Sequence, residues 1–177
     1  MNIFILDKNP KIAAEMMCDK HVVKMIVESA QILSAVVDGN YKNEHRGLGR
    51  PSEQLGLPQY PKAHAKHPST LWAKKSRGNY RWLIRHMRAL CSEYRKRYED
   101  RIHKLEGTLM IYEGQDQYLT FAQERRSPFE IAITNKEWHD PDPIKAYQTY
   151  YNMEKSRFAK WKLGNVPKWY VPGQRVA

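Results

Sequence analysis

Four side chains in one stretch, His21, Lys24, Glu28 and Gln31, follow one another at intervals of three, four and three residues, which on a helix stacks them along a single face. An imidazole, an ammonium, a carboxylate and an amide so arranged can hold a polar substrate and move protons. The same spacing also describes a solvated face with an ordinary Lys24 to Glu28 pair, worth about 0.2–0.5 kcal/mol, and spacing alone does not choose between them. A second series, Lys74, Arg77, Arg81, Arg85 and Arg88, recurs every three or four residues and could follow one phosphate backbone. Further on, Pro167-Lys168-Trp169-Tyr170 sets two aromatics beside a cation. Such a group could stack on an unpaired base, or dock its segment onto the core.

Other chemistries lack their usual signatures. Among seven histidines, His64-x-x-His67 is the closest pair, with no His-Glu-x-x-His helix and no Cys-x-x-Cys, so no metal is expected. His64 and His67 read instead as phosphate contacts or helix caps. There is no Gly-x-Ser-x-Gly elbow, and Gly47-Leu48-Gly49 is too short for a phosphate loop. Cys18 and Cys91 read as buried, reduced thiols. Ser76 and Asn79 fall on the buried side of their helix, suited to core hydrogen bonds.

The elements that carry these residues follow from caps and periodicity. Asn9-Pro10 opens and Asp38-Gly39 closes one helix over 10–37, with Ile12, Met16, Val23, Ile26, Ala30, Leu33 and Val37 as its apolar stripe. Asp19 interrupts the stripe and should be buried and paired. Residues 39–68 are rich in Gly and Pro and read as a long loop. A second helix, capped by Ser69, runs toward Glu106 with a kink at Gly78, and a third opens at Asp142-Pro143 and stops at Gly164. Met1 to Leu6 suits a short strand or an extended arm, and residues 107–140 suit either two strands or a short helix. The expectation is an all-α single domain over 1–177, built from three main helices joined by irregular loops.

Composition narrows the partner. The chain has 177 residues and a net charge of +11, with a mean hydropathy of -0.77. Its excess is concentrated: residues 42–88 hold eleven Lys/Arg against two acids, and residues 154–175 hold six against one. That clustering favours a polyanion, nucleic acid first, over a cation or an acyl chain. No apolar run approaches the length needed to cross a bilayer, and the first six residues do not make a signal peptide. A cytoplasmic, monomeric protein is expected.

Two segments look familiar: Cys18-Asp19-Lys20-His21-Val22-Val23-Lys24-Met25-Ile26-Val27-Glu28, and His67-Pro68-Ser69-Thr70-Leu71-Trp72 continuing to Asn79-Tyr80-Arg81-Trp82-Leu83. They resemble an uncharacterised family of small phage-encoded proteins. More distantly, the chain is similar to the pyrimidine-dimer DNA glycosylase/AP lyases of the endonuclease V type, which are compact all-α repair enzymes. The resemblance implies that an N-terminal amine, of Met1 or of a processed Asn2, attacks the sugar of the damaged nucleotide, and that Glu28 is the assisting carboxylate. It further implies that His21 and the basic second helix face DNA, with Trp169 and Tyr170 on the same surface. Lys24, Gln31 and His67 complete the expected substrate contacts, with no cofactor. The sequence departs from the family's pattern in carrying Asn2, where the phage enzymes expose a small residue. The other readings are a non-enzymatic nucleic-acid-binding protein and a base-modifying enzyme of the same fold.

Overall fold

The computed structural model describes residues 2–42, 50–58 and 64–177, and is all-α. Its helices are α1 (Pro10–Met16), α2 (Asp19–Asn40), α3 (Pro51–Gln54), α4 (Pro68–Lys75), α5 (Arg77–Arg97), α6 (Thr108–Gln115) and α7 (Pro143–Tyr150). The last runs into a single π turn, Tyr151–Lys155. Among the described residues only two isolated bridges, Tyr41 with Leu119 and Ser76 with Gln123, have strand-like pairing. The two long helices, α2 and α5, pack on one another, with α1 against α5 and α4 bridging both. Gly47-Leu48-Gly49 lies outside the described residues.

The helix expected over 10–37 is broken. Met17 and Cys18 are extended, with ψ of 141° and 159°, and α2 begins at Asp19. A buried carboxylate needs partners, and the break supplies them. Asp19 Oδ1 meets the Arg97 guanidinium at 3.2 Å, and Oδ2 accepts from the Lys162 amide at 3.0 Å. Arg97, its side chain wholly buried, also donates to the carbonyls of Glu15 and Met17 at the end of α1, and through both Nε and Nη2 to Glu93 Oε2.

The second expected helix breaks earlier than Gly78. Ser76 is extended and caps α5, its hydroxyl accepting from the Asn79 amide, while His67, not Ser69, caps α4. Asn79 itself makes the buried bonds its position suggests, donating to the Trp72 carbonyl and to Ser127 Oγ. Gly78 is needed for a close approach: a Cβ there would stand 2.3 Å from the Arg126 amide nitrogen. The segment after residue 122 lies over this point, accepting from the Arg77 and Gly78 amides, and then runs on toward Ala132. Residues 107–140 therefore hold one α-helix, two single 3-10 turns and a strap, with no strand pair.

The third helix opens as expected, Asp142 accepting from the Ile144 amide, but its regular part ends at Tyr150. Residues 2–6 form an arm with no strand partner among the described residues. Ile3, Phe4, Ile5 and Leu6 are all buried, and Phe4 takes a φ of +52°. Both cysteines are buried and free.

Candidate active site

The buried arm and α2 meet at a polar cavity of about 230 Å³, walled by Asn2, Phe4, Lys24, Glu28, His67, Ala132, Thr134, Tyr150 and Lys155. Its centre is a carboxylate. Glu28 Oε2 accepts from the backbone nitrogen of Asn2 at 2.8 Å, and Oε1 lies 3.3 Å from Lys24 Nζ. Asn2 is held on three sides, its Oδ1 accepting from the Ile3 and Phe4 amides and its Nδ2 donating to the Ala132 carbonyl. That bracing explains the left-handed Phe4: the turn folds the arm back so that the Asn2 nitrogen faces Glu28 while the Phe4 ring is buried.

The Phe4 ring stacks on His21 at 4.4 Å and lies parallel to Tyr150, with Tyr147 and Tyr151 edge-on. His21 thus sits inside an aromatic cluster, its Nδ1 2.5 Å from the Tyr151 hydroxyl. Burial, with Lys155 and Lys24 nearby, lowers its pKa to about 3, so the ring is neutral. His67 is half-buried and its pKa is also lowered, chiefly by burial. Its Nδ1 accepts from the Ser69 amide at 3.2 Å, which assigns the proton of the neutral ring to Nε2. The cavity therefore combines one buried carboxylate, a backbone nitrogen bound to it, a neutral imidazole and two lysines. Such a set can hold an amine, accept its proton and stabilise a cation formed beside it.

The structure brings together Asn2, Lys24, Glu28 and His67. Met1 lies outside the described residues. His21 adjoins the cavity from the core without lining it, because α2 is buried around most of its circumference. Gln31 is half-buried further along α2, away from the cavity wall. Phe4, Tyr150 and Lys155 had no signal of periodicity or motif, since the chain brings them to α2 from the arm, the last residue of α7 and the π turn that follows it.

The basic series on α4 and α5 is divided by its surroundings. Arg77 is mostly buried and held by Asp116 and Glu124, Arg81 pairs with the other oxygen of Asp116, and Arg88 pairs with Glu113. Lys74 is half-buried, and burial lowers its pKa. Arg85 is exposed and forms no ion pair among the described residues. Lys168 is exposed, whereas Trp169 and Tyr170 are half-buried: Trp169 stands edge-on to Tyr151 and donates to Met16 Sδ, and Tyr170 packs on Trp161. Among the described residues no group of three His, Cys, Asp or Glu side chains could hold a metal, and no helix is long and apolar enough to cross a membrane.

Residues 1–105 match the family model described as pyrimidine dimer DNA glycosylase. No curated protein and no solved structure matches the chain.

Proposed function

The chain belongs to the pyrimidine dimer DNA glycosylase family, and from that premise we propose that it removes a damaged or modified base from DNA and cuts the strand as an AP lyase. One observation carries the proposal: the Glu28 carboxylate is bound to the nitrogen of Asn2 at 2.8 Å on the wall of a polar cavity. If Met1 is removed, that nitrogen is a primary amine already seated on its proton acceptor. If Met1 is kept, its own amine is one residue away.

An α-amino group with an ordinary pKa near 8 has a usable neutral fraction at neutral pH, which an ordinary lysine lacks. Its lone pair attacks C1′ of the target nucleotide. The N–C1′ bond forms as the bond to the base breaks, and the base leaves with the electron pair and takes a proton. Opening of the sugar ring gives an iminium, whose positive charge Glu28 stabilises. Loss of a C2′ proton then drives the 3′ phosphate out by β-elimination. Reaching C1′ in a duplex requires the nucleotide to leave the stack, and Lys24 and His67, on the cavity wall, would contact it there.

The test is borohydride trapping on duplexes carrying an abasic site or a pyrimidine photodimer, with the adduct mapped by mass spectrometry. An adduct on the N-terminal peptide is expected. Glu28→Gln should preserve DNA binding and slow trapping by about 10²–10⁴-fold, the usual range for a proton-transfer group. Acetylation of the N-terminus should abolish the adduct. Trapping that survives acetylation refutes the amine assignment, and binding without any adduct favours a non-enzymatic DNA-binding role.

A further inference from the structure

We infer that Lys155 is a phosphodiester-binding residue of the cavity, delivered there by the π turn that ends α7. The inference rests on the reading that DNA enters this cavity. Lys155 Nζ donates to the Tyr150 hydroxyl at 2.9 Å and lies 4.3 Å from the centre of the Tyr150 ring. The two residues are five apart. In an α-helix at about 100° per residue they would point roughly 140° away from each other, and the side chains could not meet this way. The π turn, Tyr151–Lys155, is wider and brings them onto one side.

The turn is clamped from outside. Asn152, 1% exposed, donates to the carbonyls of Trp169 and Gln174 and accepts from the Val171 amide, while its own carbonyl accepts from Gly173. Lys155 is therefore held on a fixed support. Its charge is also unspent. Lys24 offsets Glu28, His67 is neutral near pH 7, and no carboxylate among the described residues lies within ion-pair distance of Lys155. An ammonium has three donors, and the Tyr150 hydroxyl takes one. A half-buried cation with spare donors, across a cavity from Glu28, suits an oxyanion. In a DNA duplex the oxyanions that accompany a displaced nucleotide are its own flanking phosphates.

The experiment measures binding, so it does not depend on the chemistry of the amine. The probe is a duplex containing a tetrahydrofuran abasic analogue, with a methylphosphonate replacing one flanking phosphodiester at a time. Lys155→Gln should weaken binding about ten-fold at low salt and reduce the salt slope by about one, and Lys155→Arg should restore the slope. In the wild type, one methylphosphonate position should cost a similar factor, and that position should cost Lys155→Gln nothing further. An unchanged slope in folded Lys155→Gln overturns the inference, as does a methylphosphonate series in which no position matters, which requires no variant to fold. Loss of borohydride trapping with an unchanged slope also overturns it, by assigning Lys155 to the chemistry. Binding without any borohydride adduct in the wild type would instead refute the proposed base excision and leave the Lys155 salt slope interpretable.

Discussion

Replacing Arg97 with Met tests the joint between α1 and α2 that carries Glu28 into position. The Arg97 side chain is 0% exposed and makes five hydrogen bonds: two to Glu93, one to Asp19, and one each to the carbonyls of Glu15 and Met17. Methionine fills much of the volume but leaves two carboxylates without their shared cation. Removing one partner of a buried pair costs about 3–5 kcal/mol. The low end applies here, because Glu93 keeps Lys96 at 2.8 Å and Asp19 keeps the Lys162 amide at 3.0 Å. A loss of about 3 kcal/mol lowers the melting temperature by roughly 6–12 °C in a chain of this size. Urea unfolding followed by circular dichroism would measure the loss directly, with the m-value unchanged. The pH dependence gives a second reading. Burial alone would raise the Glu93 pKa, but its bonds to Lys96 and Arg97 outweigh that and hold it below the ordinary value of 4.5. Its contribution is therefore full above that range and is lost as pH falls through the folded pKa, and Arg97→Met should flatten that acid limb. A loss below about 1 kcal/mol at pH 7, within the range of a surface pair, would refute the reasoning.

Other perturbations have distinct signatures. Gly78→Ala should destabilise the fold by about 1–3 kcal/mol, since the new Cβ meets the backbone of Arg126 rather than a movable side-chain end; an unchanged melt would contradict it. Arg85→Gln should reduce the salt slope of DNA binding more than Arg77→Gln, because Arg77 is occupied by Asp116 and Glu124; equal slopes would reject the distinction. Trp169→Ala should weaken binding to intact duplex and to DNA with an unpaired base by the same factor, because the ring supports Tyr151 and Met16. A selective loss on the unpaired base would instead assign the ring to stacking. Stability should fall between about pH 6.5 and pH 4, because burial lowers the pKa of His21 to about 3 and of His86 to about 4, so the unfolded chain takes up protons that the folded one refuses. Flat unfolding midpoints across that interval would contradict neutral, buried rings.

The parts of this molecule that were legible in the sequence are those governed by local rules. Asn9-Pro10 and Asp142-Pro143 open helices as their cap chemistry requires, and the polar interruption at Asp19 is buried and paired. The face bearing Lys24 and Glu28 does form one side of a cavity. What periodicity could not reveal is set by tertiary partners. The break at Met17 and Cys18 exists because Arg97 and the Lys162 amide await Asp19, far along the chain. The acids that occupy Arg77, Arg81 and Arg88 come from α6 and the segment after it, so three members of a basic stripe in one dimension are ion pairs in three. Phe4, Tyr150 and Lys155 reach the cavity through a left-handed residue and a π turn, neither of which has a sequence signature strong enough to read.

The buried arm also orders events during synthesis. Residues 3–6 are made soon before His21, yet the other rings around Phe4 belong to Tyr147, Tyr150 and Tyr151. At translation rates of about 5–20 residues per second, those partners follow roughly 7–30 s later. Through most of that interval the Phe4 ring has only His21 among its final ring partners, and Asn2 has no Ala132 carbonyl to hold. A nascent chain that has completed α5 already owns Glu28 and the cationic series, but only half of the cavity wall. The cavity wall is complete only when the arm meets the segments that carry Ala132, Thr134, Tyr150 and Lys155, all of which follow α5 in the chain.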